Sequence, residues 1–222
     1  MSFDRNRELL ALKKDLLAMG AKVEANIARA VSVLIDRRGD LVDLVLTADR
    51  EIDACEVQID RTCHRLLALH KPVADELRLI LSVLRACNEL ERMGDHAKNV
   101  AKCARELSAG APLPVTDSFA VMVEACCAMV TDCLDAFMKN DGALAAAVRE
   151  ADEAVDEAYH QIMHHLAEGL GEHPKERAHL FLRAASAARD LERIGDIATN
   201  IARDVIFLVS GENVAHPHLY DR

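Results

Sequence analysis

Two matched sets of four acids are the residues in this chain whose type and spacing suggest chemistry. Glu91 and Asp95 stand four apart in LERMGDHAKNVA at 90–101, and Glu192 and Asp196 stand four apart in LERIGDIATNIA at 191–202. The two strings are identical at eight of twelve positions and lie 101 residues apart. A second pair, Asp49 and Asp53, precedes the first string and returns as Asp152 and Asp156 before the second. Residues four apart share a helix face, so each pair presents two carboxylates together. Donor sets made only of oxygen favour hard cations, which puts Mg²⁺, Mn²⁺, Ca²⁺ or iron ahead of a thiolate-bound metal, and carboxylates can bridge several ions. A fold needs only the apolar positions of a repeat; the return of the polar ones points to a repeated task.

A bare ExxxD is a weak signal, because 37 acids in 222 residues generate roughly six such pairs by chance. Symmetry strengthens it. Asp53 and Glu91 are centred on Pro72, as are Asp49 and Asp95, and the corresponding pairs of the second half are centred on Pro174. A chain reversal at each proline sets Asp53 level with Glu91 and Asp49 level with Asp95 on antiparallel helices. Each acid also follows an apolar seam position by one residue (Ala48, Ile52, Leu90, Gly94), which places it beside the stripe, and equivalent flanks of facing helices meet. The expectation is four carboxylates on one rim in each half. Like charges at this spacing repel by some tenths of a kcal/mol per pair, a cost that a cation removes. Arg92 and Arg193, or Asn99 and Asn200, can orient such ligands from behind. The plainer alternative is that the acids pair with Arg92, Lys98 and their neighbours on a solvated face.

The elements that must position these acids are helices. Glycines and prolines cluster at Gly39, Pro72, Gly110 to Pro114, Gly142, Gly169 to Pro174 and Gly211, and they divide the chain into six long segments. The first carries apolar residues at spacings of three and four: Leu9, Leu12, Leu16, Met19, Val23, Ile27, Ala30 and Leu34. The second carries Leu41, Val45, Ala48, Ile52, Cys55 and Ile59. The third carries Val83, Cys87, Leu90, Gly94, Ala97, Ala101 and Ala104, which reappear 101 residues on as Ala184, Ala188, Leu191, Gly195, Ala198, Ala202 and Val205. The predicted fold is all-α: two tandem three-helix bundles related by pseudo-twofold symmetry, residues 1–110 and 111–212, followed by a tail, 213–222. Gly94 and Gly195 interrupt strongly helical segments at about 1 kcal/mol each relative to alanine, and close approach of a neighbouring helix is the favoured reason.

Composition narrows the function. A formal charge of −10, no Trp and 3% aromatic residues provide neither phosphate neutralisation nor base stacking, so nucleic acid is not an expected partner. No apolar run reaches the roughly 18 residues of a membrane span, and MSFDRNRELL is charged where a signal peptide is apolar, so the expected location is the cytoplasm. Seven cysteines without a CxxC pair read as reduced core thiols. His160 and His164 have zinc-compatible spacing but fall on the outer face, and His96 is replaced by Ile197 in the repeat. No Walker loop, GxSxG elbow, HExxH or dinucleotide loop is present, and no nucleophile has a base beside it. The expected class is non-enzymatic. The enzyme rival is a carboxylate-bridged di-iron protein of the ferritin type, whose ExxH ligands this chain lacks at Glu91 and Glu192.

The two LERxGDxAxN strings, each preceded by an AD(x)₂(I/V)D segment, closely resemble the PhoU family of phosphate-transport regulators, over nearly the whole chain. PVADELR at 72–78 and IFLVSGENVAH at 206–216 are similar to that family as well. The resemblance implies two three-helix bundles with multinuclear metal clusters, of iron, zinc, manganese or magnesium, on E(D)xxxD pairs. By position, one cluster would take Asp49, Asp53, Glu91 and Asp95, and the other Asp152, Asp156, Glu192 and Asp196. It also implies a cytoplasmic homodimer that links a PstB-like ATPase of the phosphate ABC importer to a PhoR-like sensor kinase. Such a protein restrains phosphate uptake and the starvation response, and it meets the membrane only through these partners. The chain departs from the repeat at His173-Pro174-Lys175 and His179, which stand where the first half has Pro72, Leu77 and Arg78.

Overall fold

The computed structural model describes residues 2–109, 116–172 and 178–211. The described residues form six α-helices: α1 (Ser2–Ile35), α2 (Val42–His70), α3 (Asp75–Ala109), α4 (Thr116–Lys139), α5 (Gly142–Glu172) and α6 (Ala178–Ser210). A single 3₁₀ turn, Gly39–Leu41, leads into α2. None of these helices is long and apolar enough to cross a membrane. The segment joining the halves at 110–115, the turn around Pro174 with His173 and Lys175, and the tail beyond Gly211 lie outside the described residues.

The apolar spacing accounts for the packing. Leu9, Leu12, Leu16, Met19, Val23, Ile27 and Ala30 of α1 are buried, as are all seven seam positions predicted in the third segment and all seven in the sixth. In α2 the seam differs from the sequence expectation: Val42, Val45, Asp49, Ile52, Ile59, Cys63 and Leu66 are buried, while Ala48 and Cys55 are only partly so. Steps of three and four from Val42 land on Asp49, and Gly94 opposite leaves room for it. One apolar cluster runs from Leu9 in α1 to Val205 in α6, so both halves share a continuous core.

Chain reversal at Pro72 uses left-handed residues on both sides, Lys71 at φ 45° and Ala74 at φ 45°. Between α4 and α5, Asn140 adopts φ 51°, and Asp141 Oδ1 accepts hydrogen bonds from the Ala143 and Leu144 backbone N–H groups, both at 3.0 Å, capping α5. α3 and α6 form the most extensive helix pair. They run antiparallel, as shown by Arg85–Asp204 (3.3 Å), His96–Asp190 (2.8 Å) and Arg183–Glu106 (2.8 Å). This polar ladder centres on the two LERxGD strings, which therefore stand at the same level across the seam.

Candidate metal centre

Placement of the first acidic set starts from α2 and α3. A Cβ on Gly94 would lie 3.3 Å from Ile52 Cδ1 and 3.7 Å from Asp49 Oδ1, so the missing side chain is what lets α2 come close and seats the Asp49 carboxylate against the α3 backbone. The second half repeats the arrangement. A Cβ on Gly195 would meet Val155 Cγ1 at 3.3 Å and Asp152 Oδ1 at 3.5 Å. The register inferred from the prolines, Asp49 level with Asp95, is therefore present, and the glycines answer to close helix approach.

Asp49 is 5% exposed, far more enclosed than a residue beside a seam. Lys98 explains how a charged group tolerates this position: its Nζ donates to Asp49 Oδ2 at 2.7 Å and also to Asp95 Oδ1, tying α2 to α3. Burial works to lower the Lys98 pKa, but the hydrogen bonds and charges of the two carboxylates outweigh it and raise it above the ordinary lysine value. Asp53 is exposed and Glu91 half-buried, and neither carboxylate has an ion pair or hydrogen bond among the described residues. Partial burial and then the charge of Asp49 raise the Asp53 pKa, while burial and then Asp95 and Glu56 raise that of Glu91. These acids sense one another without enough positive charge to balance them.

In the second half, burial and the charges of Asp156 and Asp196 push Asp152 up to about 6 against the opposing pull of Arg203. Glu192 is raised by burial and by Asp196. Asp152 and Asp196 line a pocket of about 270 Å³ with Arg92, Arg193, Thr199, Asn200 and Arg203. Asp156 is exposed on its edge of α5. Among the described residues no three carboxylates, imidazoles or thiols already surround one point closely enough to hold an ion. What the structure brings together is Asp49 with Asp95 and Asp152 with Asp196. Asp53, Glu91, Asp156 and Glu192 stand around them.

The supporting residues divide differently from the sequence expectation. Arg193 does reach its own acids, Asp196 at 2.7 Å and Glu192 at 3.6 Å. Arg92 instead pairs with Glu89 at 2.7 Å and leans over the pocket of the other half. Asn200 accepts from Arg203 at 2.8 Å and approaches Glu89, while the Asn99 side chain makes no hydrogen bond among the described residues. His96 is bonded across the α3–α6 seam to Asp190, and His160 and His164 are exposed. Sequence reasoning passed over Glu56, Glu89 and Arg203; Glu56 had a signal, lying three residues beyond Asp53 on the same face. All seven thiols are free, five of them buried.

Comparison with known proteins agrees with this architecture. The PhoU domain is matched twice, over residues 16–104 and 119–205. The phosphate-specific transport system accessory protein PhoU homologue of Pseudomonas aeruginosa is 38% identical over 215 residues, covering 95% of this chain and 87% of that protein. The PhoU protein of Escherichia coli is 30% identical, with 95% and 87% covered. The crystal structure of PhoU from Pseudomonas aeruginosa superposes with a TM-score of 0.89 at 38% identity, over 93% of this chain and 99% of that one. The phosphate transport system regulatory protein PhoU from Streptococcus pneumoniae gives 0.86 at 27% identity, over 95% and 99%. Two repeats of one domain, a shared six-helix architecture and relatives matched along almost their whole length carry one conclusion: this chain belongs to the PhoU family.

Proposed function

We propose that this protein is a non-enzymatic, metal-binding regulator of phosphate uptake and of the phosphate-starvation response. In this reading it couples the ATPase of a phosphate ABC importer to a sensor histidine kinase, acts in the cytoplasm as a homodimer and reaches the membrane only through those partners. The observation that carries the regulatory part is similarity over 95% of the chain to accessory proteins of the phosphate-specific transport system. The metal part rests on the acids. Asp152 and Asp196 would hold an ion with help from Asp156 and Glu192, and the same four positions of the first half are Asp49, Asp53, Glu91 and Asp95. Their all-oxygen chemistry suits iron, manganese or magnesium, with zinc also compatible. When bound, the ion neutralises crowded carboxylates and ties α5 to α6. The ferritin-like alternative is less well supported, since Asp53 and Asp156 face solvent and His96 is committed to Asp190.

Two experiments test this reading. Cells lacking the protein should continue to import phosphate and to express starvation genes when phosphate is plentiful; normal shut-off would overturn the regulatory role. Thermal melting with and without chelator, alongside elemental analysis, tests the metal, and the metal claim fails if the protein carries no ion and its melting point does not move.

A further inference from the structure

The two halves differ at the point where their acids converge. Eight positions of the repeated twelve-residue string are identical, and of the four that differ only two change chemical character: His96 against Ile197 and Lys98 against Thr199. The second of these lies inside the carboxylate set. Lys98 Nζ sits between Asp49 of α2 and Asp95 of α3, bonded to both, where an ion shared by these two acids would have to stand. Thr199 cannot do this. Its hydroxyl donates to the Asp196 backbone carbonyl at 2.7 Å, and the Asp152 carboxylate has no ion pair or hydrogen bond among the described residues.

Three arginines line the pocket of the second set, but none bridges its two acids: Arg92 is paired with Glu89, Arg203 is bonded to Asn200, and Arg193 is held differently from Lys98. It bonds Asp196 from three residues away on the same helix and its side chain is 52% exposed, so it can turn to solvent without leaving a buried charge behind. Lys98 has a side chain only 22% exposed and spans two helices, and Asp49 beneath it is nearly closed off. A divalent ion entering the first half must displace an ammonium tethered at high effective concentration and strand it against the protein.

We propose that Lys98 is a built-in counter-ion that occupies the metal position of the first half, so that metal ions are taken up by the second-half carboxylates alone. This rests on the metal-binding reading above. It makes the duplicated fold functionally one-sided: the first half is locked by a lysine, and the second is open to an exchangeable ion.

The test is metal content after loading the full-length protein separately with Mn²⁺, Zn²⁺ and Fe²⁺ and dialysing, combined with thermal melting. Asp152→Asn with Asp196→Asn should abolish the bound metal, and Asp49→Asn with Asp95→Asn should leave it unchanged. Lys98→Thr should double the metal bound, lower the melting point of the metal-free protein and recover it when metal is added. Thr199→Lys, which needs no loss of the first-half bridge, should silence the second half. Equal loss from both Asn pairs, or an unchanged stoichiometry in Lys98→Thr, overturns the one-sided assignment while leaving metal binding intact. No metal in any variant, Lys98→Thr included, overturns the metal-binding reading itself and this inference with it.

Discussion

Asp204 on the α3–α6 seam gives the stability of the fold a defined pH dependence. Its side chain is 14% exposed; Arg85 bonds it at 3.3 Å, and Glu89 lies close enough to repel it. Burial pushes its pKa up from 3.8 to about 6, more than Arg85 pulls it down. The unfolded chain therefore releases this proton at lower pH than the fold does, and ionisation costs stability as pH rises. The cost is absent below the unfolded pKa, grows between about 4 and 6, and is complete above that. At about 1.4 kcal/mol per pKa unit it amounts to roughly 3 kcal/mol at pH 8. Asp204→Asn keeps the shape and removes the charge, and the pull of Arg85 is already contained in the pKa of about 6, so the whole cost is relieved. The variant should be more stable than the parent by about 3 kcal/mol at pH 8, a gain of roughly 6 to 12 °C in Tm for a chain of this size, and no more stable at pH 4. Equilibrium urea unfolding of both proteins at the two pH values measures the difference. A stability gap that is the same at both pH values would refute the reasoning.

Gly94→Leu places a side chain where even a Cβ is 3.3 Å from Ile52, and should destabilise the protein by about 1 to 3 kcal/mol in urea unfolding. Asp141→Ala removes the cap that satisfies two N–H groups of α5 and should cost about 1 kcal/mol by the same measurement, with Asp141→Asn recovering most of it. The Cys63 and Cys87 thiols, raised by burial to about 12, should resist iodoacetamide at pH 8 in the native protein and alkylate readily in urea, as read by mass spectrometry.

Much of this arrangement was legible in the residues, and the part that was not has a physical cause. Apolar spacing in α1, α3 and α6 located the buried stripes, because a long helix with one packed face repeats its requirement every turn. The shared midpoint at Pro72 gave the register of α2 against α3. It could not show that Asp49 turns into the seam, because that depends on Gly94 opposite and on Lys98 above. Lys98 itself reads locally as an ordinary partner three residues after Asp95; its second bond, to Asp49 on another helix, exists only once the helices are docked. The same holds for His96. Its partner, Asp190, is set by how α3 lies along α6, and an internal repeat carries no information about the docking of its own two copies.

The uninterrupted apolar cluster running from α1 to α6 has a consequence for how the duplication can evolve and be dissected. Neither copy is a portable module: cutting the chain between α3 and α4 would part α3 from α6, the most extensive helix pair of the fold, and the fragment, its apolar flank uncovered, would pair with itself or precipitate. Melting should accordingly be a single cooperative event. Because each copy leans on the other for its integrity, one is free to lose an ancestral role without losing its place in the molecule.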